Sequence, residues 1–422
     1  MSLNLRSIIV LVCVISILSQ PLFFSFMGLL GIEYEGIDSS PVYVIFIVTS
    51  FVFVFLAFAY SIFKKGLVKQ ELKLLVFFLL LFALHSLWVI FDPINTKMVP
   101  EFLMFSVLFG LPGFFAAATI IKLNLIIPFV RATEVSLIVI ALGIVIFSVV
   151  PSLAGIRTTS LAGASYQALS YYSAFTFGML LIYVTQLPKS LRFSWSKSIW
   201  YVGFLYIIMM GCVLGVFLGG GRGAFLLLIV YLLVHLFSII QVRKRILSRR
   251  AVFNGLIKLL VIFFSFILFL NYFWEADFVQ AGFSRATQFI SSDGRIDLES
   301  GSSGRDTVYR VAIDYIIQNP IFGYGPFSFR EKTIHAHNLF LEILLQLGVL
   351  GLITFIVLIA VLAVNAKKNW SIYSYWVLHL LFYPLVMLMF SGTYLHTAIF
   401  LFCISFLVIF KKNIYKSNIS FK

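Results

Sequence analysis

Two histidines and a glutamate lie where a long polar segment meets an apolar run. His335 and His337 flank Ala336, Asn338 follows, and Glu342 comes about one helical turn later. Because imidazole has the side-chain pKa nearest neutrality, His337 could take a proton from a hydroxyl group. The same residues could instead begin a helix capped by Asn338, or place a histidine pair on a metal, although a zinc site needs more ligands than lie nearby. His337 is therefore a candidate base, and the sequence disfavours a metal site.

An arginine follows three glycines between two apolar runs. In Gly219–Ala224 the glycines allow close backbone approach, and Arg222 stands at the start of the next predicted helix. A helix N-terminus beside an arginine can bind an anion. The alternative is a tight helical hairpin whose arginine only extends to the lipid headgroups. Because an arginine near membrane depth is usually functional, Arg222 is a candidate anion ligand.

Three more arginines are weaker candidates. Arg305 begins a predicted helix, where the first backbone amides also favour an anion. Arg310 lies about 140° further round that helix, so the two need not share a ligand. For Arg305 a salt bridge to Asp306 or Asp314 is the alternative. Arg157 lies in a loop ahead of polar and aromatic residues that could contact sugar.

Membrane helices must position all of these residues. Apolar residues make up 61% of the chain and charged residues 11%, whereas soluble chains average about 45–50% and about 25%. The predicted fold class is all-α, a polytopic transmembrane helical bundle of about 12 spans, because apolar runs of bilayer-crossing length recur throughout. The predicted spans are 7–30, 41–63, 74–91, 100–121, 132–150, 168–187, 198–219, 223–241, 252–273, 338–364, 371–390 and 395–410.

Basic residues predict the orientation of the bundle. Lysines cluster after spans two, six and ten and at the C-terminus, and a run of lysines and arginines follows span eight. The positive-inside rule therefore predicts that all of these residues, and both termini, lie in the cytoplasm. This distribution accounts for the net charge of +15 without a nucleic-acid partner. On the outer side arginines outnumber lysines seven to two, while on the inner side lysines outnumber arginines fifteen to seven. Because the guanidinium fork suits phosphate oxygens, this bias predicts an anionic ligand outside, with ion pairs to acids of the same loop as the alternative.

One long polar segment divides the chain. The predicted segments are 1–274 with spans one to nine, a large periplasmic loop at 275–337, and 338–422 with spans ten to twelve and a cytoplasmic tail. Within the loop, apolar residues at helical spacing predict an amphipathic helix over 307–319, which Pro320 ends. Such a helix could lie on the membrane surface.

Five motifs occur in an order that resembles a known family. They are Gly221-Arg222-Gly223-Ala224-Phe225, Gly304-Arg305, Asn319-Pro320 with Gly323-Tyr324-Gly325, His337-Asn338-Leu339-Phe340-Leu341-Glu342, and Leu347-Gly348-Val349-Leu350-Gly351. Together they resemble the O-antigen polymerase and O-antigen ligase superfamily over residues 220–351. The resemblance implies an inverting, metal-independent glycosyltransferase without a cofactor. It also implies a substrate, a glycan on undecaprenyl pyrophosphate, and a location, the periplasmic face of the bacterial inner membrane.

The resemblance assigns roles to several residues. His337 resembles the base that activates the acceptor hydroxyl, and Glu342 is the candidate for orienting it. Arginines resemble the residues that hold the diphosphate leaving group. The arginines assigned to diphosphate or glycan binding are Arg222, Arg305, Arg157 and Arg310, of which the last two are our own additions.

Three functions stay open at this point. A polymerase, which we favour, would extend a second lipid-linked repeat unit and would have a polysaccharide chain-length regulator as a partner. A ligase would transfer the glycan to lipid A-core. A transporter or flippase for lipid-linked sugar is disfavoured, because transporters usually show two related halves and polar residues at the midplane.

Overall fold

The computed structural model describes residues 4–32, 41–91, 104, 106–156, 160–193, 198–241, 264, 267–268, 271–275, 277–287, 305–325, 336–394 and 397–411. Across these ranges the chain is helical, and its one extended pairing is an isolated bridge between Leu161 and Ala164. The all-α prediction is confirmed. The helices are α1 (Leu5–Ile17), α2 (Ser19–Leu29), α3 (Pro41–Lys65), α4 (Lys69–Phe91), α5 (Leu111–Lys122), α6 (Ile126–Ile144), α7 (Tyr166–Thr185), α8 (Ile199–Gly219), α9 (Arg222–Gln241), α10 (Asp277–Thr287), α11 (Arg305–Gln318), α12 (Leu339–Lys368), α13 (Ile372–Leu388) and α14 (Ala398–Ile409).

Several helices can cross a membrane. In the described part of the chain, five are long and apolar enough: α3, α6 with its continuation to Leu153, α7, α8 and α12. A sixth results if α1 and α2 form one bent span, and shorter apolar helices occupy 106–122, 222–235, 372–388 and 398–409. The protein is therefore a multi-pass membrane protein. The count of twelve stays a prediction, and the ninth predicted span lies mostly outside the described residues.

The first predicted span, 7–30, consists of two helices. The helix α1 ends at Ile17, and α2 begins at Ser19. Pro21 lies four residues after Ile17, and a proline ring clashes with the carbonyl group four residues earlier while supplying no amide donor. The proline accounts for the break at this position.

The chain divides into two compact units that interleave in sequence. Unit 1 contains Met1–Ser19, Pro41–Ala132 and Ile296–Lys422, and unit 2 contains Gln20–Ser40 and Thr133–Arg295. The predicted segments 1–274, 275–337 and 338–422 describe placement relative to the bilayer and stay a prediction. Inside the predicted loop, the helix expected over 307–319 is observed as α11.

Unit 1 is built around α5. Residues Pro112–Ile121 are all buried, and α1, α3 and α14 pack against them. Phe115 of α5 stacks on Phe58 of α3 at a ring-centroid distance of 4.9 Å. At the end of α5, Lys122 Nζ forms a buried ion pair with Glu71 of α4 at 2.6 Å. Apolar packing and one paired buried charge thus hold the helices of this unit together.

Unit 2 is built around α7. Residues Leu169–Tyr183 are buried, and α8 and α9 pack on them. The buried Glu134 carboxylate of α6 accepts hydrogen bonds from Phe193 N at 2.8 Å and from Tyr201 Oη at 2.9 Å. Arg192 lies 3.7 Å from the same carboxylate. These bonds satisfy a buried charge and attach the segment after α7 to α6 and α8.

Candidate functional site

The predicted base stands just before the first turn of α12. Asn338 caps this helix, because its side-chain oxygen accepts hydrogen bonds from Phe340 N at 3.0 Å and from Leu341 N at 3.2 Å. His337 precedes the cap with a φ of 48°, a left-handed conformation that is uncommon for a residue with a side chain. The helix cap formed by Asn338 therefore does not exclude a functional role for the neighbouring His337. Strained backbone of this kind is found most often at functional sites.

His337 and Arg305 influence each other electrostatically within unit 1. Partial burial, and secondly the positive charge of Arg305, lower the pKa of His337 below its ordinary value. The imidazole is therefore held neutral at pH 7, the form in which it can accept a proton. Arg305 is the first residue of α11, and its guanidinium carbon lies 5.8 Å from the centre of the Phe390 ring. The two residues that sequence assigned to proton transfer and to diphosphate binding thus lie in one unit and interact.

Arg310 occupies the exposed side of α11. Its guanidinium forms an ion pair with Asp306 at 3.5 Å, one turn earlier on the helix. The Arg310 side chain is 73% exposed, and exposed pairs of this kind contribute little to stability, about 0.3–0.5 kcal/mol. Arg310 therefore makes a salt bridge within α11, and its role in diphosphate or glycan binding stays a prediction.

Glu342 lies inside the unit in a short polar network. The residue is 3% exposed, and its carboxylate accepts a hydrogen bond from Gln346 Nε2 at 3.1 Å. Tyr394 donates its hydroxyl proton to Gln346 Oε1, also at 3.1 Å. This network links the first turns of α12 to the segment between α13 and α14. The predicted role of Glu342 in orienting His337 stays a prediction.

The helix α12 is interrupted at Gly348. Its φ of 64° and ψ of −162° are not helical, so the carbonyl and amide groups beside it lose their helical partners. Residues 320–325, the turn that follows α11, replace those partners. The four hydrogen bonds are Tyr324 N to Leu345 O at 2.7 Å, Gly325 N to Gln346 O at 2.9 Å, Val349 N to Pro320 O at 2.8 Å and Leu350 N to Ile321 O at 3.4 Å. We call residues 320–325 and 345–350 together the glycine joint.

The glycine joint has no room for a Cβ atom at its two central positions. A Cβ atom on Gly348 would overlap the Ile321 carbonyl group, and one on Gly323 would lie 2.6 Å from Leu345 O. Both glycines also have positive φ, which side-chain-bearing residues rarely adopt. Two of the motifs behind the family resemblance therefore form a structural contact. That contact attaches α11, which carries Arg305, to α12, which follows His337.

In unit 2 the glycine run connects α8 to α9. Gly220 ends α8 in the left-handed conformation, with a φ of 61°. Gly221 N donates a hydrogen bond to Ser170 Oγ of α7 at 2.9 Å, and Arg222 is the first residue of α9. The glycines thus form the tight hairpin that had been considered, and they place Arg222 at a helix N-terminus, where an anion is favoured.

A second arginine, which the sequence did not single out, accompanies Arg222. Arg222 Nε donates a hydrogen bond to the carbonyl oxygen of Arg285 at 3.1 Å. Arg285 belongs to α10, and its guanidinium carbon lies 5.5 Å from the centre of the Tyr166 ring. One sequence feature could have identified Arg285 as a candidate: it lies in the last turn of an amphipathic stretch in the predicted outer loop. Contact with Arg222, however, depends on the packing of α10 on α8, which no local pattern indicates.

Two residues of the sequence analysis, Arg157 and His335, lie outside the described residues. The diphosphate or glycan role of Arg157 stays a prediction. Over the ranges that the structure describes, no group of three or more His, Cys, Asp and Glu side chains is arranged to hold a metal ion.

Comparison with known protein families gives a match over the middle of the chain. Residues 204–356 match the family model of O-antigen ligase. The match confirms the predicted resemblance to the O-antigen polymerase and ligase superfamily, whose members are glycosyltransferase-like membrane enzymes. The matched residues include every assigned site residue except Arg157. No curated protein matches the sequence.

Proposed function

We propose that the chain is an inverting glycosyltransferase at the periplasmic face of the inner membrane, and that it polymerises oligosaccharide repeat units carried on undecaprenyl pyrophosphate. The observation that carries this proposal is that His337 and Arg305 lie close enough inside unit 1 for the Arg305 charge to lower the pKa of His337. The match to the O-antigen ligase family model supports the reaction class, since the matched segment contains both residues. The arginine bias of the predicted outer side supports an anionic donor.

The proposed reaction uses one proton acceptor and fixed positive charge. The acceptor hydroxyl oxygen bonds to the anomeric carbon from the face opposite the diphosphate, and the carbon–oxygen bond to the diphosphate breaks. The electron pair of that bond leaves with the diphosphate, and the hydroxyl proton passes to His337. Arg305 offsets the negative charge that develops on the departing phosphate, where a preorganised charge contributes most. The proposal gives Arg222 the same task on the basis of sequence and resemblance.

The pKa of His337 fits this role. A base that is neutral at pH 7 can accept the proton without first losing one, and the neighbouring Arg305 charge helps to keep it neutral. When the diphosphate binds, part of the Arg305 charge is neutralised. We therefore expect the proton affinity of His337 to rise as the donor binds, which favours proton transfer in the complex.

A ligase that uses lipid A-core as acceptor is the second candidate. The matched family model is that of O-antigen ligase, which is the observation in its favour. Both enzymes would use the same donor and the same His337 and Arg305 chemistry, so they differ only in the acceptor. A flippase for lipid-linked sugar, the candidate from another class, would break no glycosidic bond.

A reconstituted assay distinguishes these functions. The full-length protein is placed in proteoliposomes with an undecaprenyl-pyrophosphate repeat unit as the sole sugar substrate. A ladder of longer lipid-linked products would support the polymerase, while transfer that appears only after addition of lipid A-core would support the ligase. No product in either mixture, together with transbilayer movement of a labelled donor, would overturn the proposal in favour of the flippase. The Lys367→Gln protein is the control, because it loses one exposed positive charge at the end of α12 and leaves every assigned site residue in place.

A further inference from the structure

A cavity of about 510 Å³ lies in unit 1 at the ends of three helices. Lysines from α4, from the last turn of α12 and from the residues after α14 line it, together with three amide side chains. The residues concerned are Lys73, Lys368, Lys411, Gln70, Asn365 and Asn369. The cavity is not part of the proposed glycosyltransferase site, since His337 and Glu342 lie at the opposite end of α12.

The charge around this cavity is unbalanced. None of the described residues that line it is acidic, although three of them carry a positive charge. Three like charges around one space repel each other, and an anion in that space would remove the repulsion. Amide side chains add hydrogen-bond donors, so the lining suits a phosphate better than a simple halide.

The surroundings of the cavity are typical of the region of lipid headgroups. Trp370 follows directly on Asn369 and is 46% exposed, and exposed tryptophans concentrate where the bilayer meets water. The helix α12 faces outward over most of its length, since only 11% of its most apolar window is buried. Its exposed Val357, Val361 and Val364 lie at helical spacing on one face, and Lys368 continues the same line. An apolar stripe therefore leads along the helix to the lysine-lined cavity.

We propose that this cavity binds the phosphate headgroup of an anionic phospholipid, with the acyl chains lying along the exposed valine face of α12. By the predicted orientation this is the cytoplasmic leaflet, where basic pockets between helices bind acidic headgroups. The site is independent of the proposed transferase chemistry. It would retain one lipid selectively at the lysine-rich end of the bundle.

The test compares two triple variants that change net charge equally. In the first, Lys73, Lys368 and Lys411 are replaced by glutamine. In the control, Lys65, Lys69 and Lys367 are replaced, three exposed lysines of the same helices or their neighbours that do not line the cavity. Both proteins are purified at full length in nanodiscs of phosphatidylcholine with a minor share of phosphatidylglycerol, and retained lipid is measured by native mass spectrometry.

We expect the first variant to bind phosphatidylglycerol at least about tenfold more weakly than the control, because each lysine near the surface contributes to binding acidic lipid. A variant with arginine at the same three positions should retain the lipid and shows that the fold survives substitution. Equal retention by both glutamine variants would overturn the proposal, because the cavity lysines would then contribute no more to lipid binding than lysines elsewhere at the same end of the bundle. Displacement of the lipid by inorganic phosphate at low concentration would also overturn it, since the site would then bind a soluble anion.

Discussion

Replacing Gly348 by alanine should destabilise unit 1 severely. The backbone of Gly348, with φ of 64° and ψ of −162°, lies in a region that essentially only glycine occupies, and an alanine held there costs about 1–3 kcal/mol. The new Cβ atom would also lie 2.6 Å from Phe322 N and would overlap the Ile321 carbonyl group. Because these are backbone atoms, the turn itself must move.

The size of the effect follows from the bonds that this movement breaks. Val349 N to Pro320 O and Leu350 N to Ile321 O are the two hydrogen bonds nearest the overlap. Each contributes about 1 kcal/mol. Added to the backbone strain, their loss predicts a decrease of about 3–5 kcal/mol in the free energy of unfolding. The matched control is Gly203→Ala, since Gly203 lies in α8 with open space around its Cβ position. That change should stabilise the protein by up to about 1 kcal/mol.

Buried cysteines provide the assay. Cys13 and Cys403 are fully buried in unit 1 and become reactive only when the unit opens. Their labelling by a maleimide dye, followed during titration with dodecyl sulfate in mixed micelles, gives the unfolding midpoint of each variant. If Gly348→Ala unfolds at the same detergent fraction as the Gly203→Ala control, the account of the glycine joint is wrong.

Changes at the site itself have distinct expected results. His337→Ala should lower the rate of glycosyl transfer by about 10²–10⁴-fold, the usual contribution of a general base, while the protein still inserts normally into the membrane. Unchanged activity in a correctly inserted protein would exclude His337 as the base. Because burial and the Arg305 charge lower the pKa of His337, the neutral base persists below pH 6.5, so kcat/KM should decline only at lower pH. In Arg305→Gln the residual activity should decline at a higher pH than in the native protein, and an unmoved profile would contradict this coupling. Arg222→Lys keeps the positive charge but loses the planar guanidinium fork and its hydrogen bond to the Arg285 carbonyl. We therefore expect kcat/KM to fall by about 10–100-fold, which corresponds to the loss of one charge-assisted hydrogen bond. A decrease of less than about twofold in the same assay would show that the charge alone suffices.

Local patterns predicted the elements around the site correctly. The amphipathic helix before Pro320 and the start of α12 at Asn338 are both observed, because each depends on residues within one turn of the helix end. The break at Gly348 was not predicted, since the motif reads as part of an apolar run. The turn that replaces its lost hydrogen bonds is more than twenty residues away in sequence, and only tertiary structure shows that partner.

The same distinction applies to the charged residues. That Arg305 interacts with His337, while Arg310 pairs with Asp306, depends on which faces of α11 turn inward. Helical periodicity placed the two arginines on different sides of the helix but could not say which side faces His337. The first span differs, because here a local signal was present in the sequence. Pro21 marks the break between α1 and α2, although the continuous apolar run over 7–30 predicted one span.

The break in α12 has a consequence for the depth of the site in the bilayer. The 20 residues from 349 to 368 follow the break, and as a helix they extend about 30 Å. This length equals the thickness of the hydrocarbon core, roughly 30 Å. The predicted topology places Lys367 and Lys368 at one membrane surface, so on that topology the break falls at the other surface and residues 339–347 lie at the height of the lipid phosphates. On the proposed function the donor is a polyprenyl-linked diphosphate, whose phosphates lie at that same height because its tail is confined to the hydrocarbon. Under that proposal, Gly348 would set the vertical position of His337 relative to a donor held in the membrane.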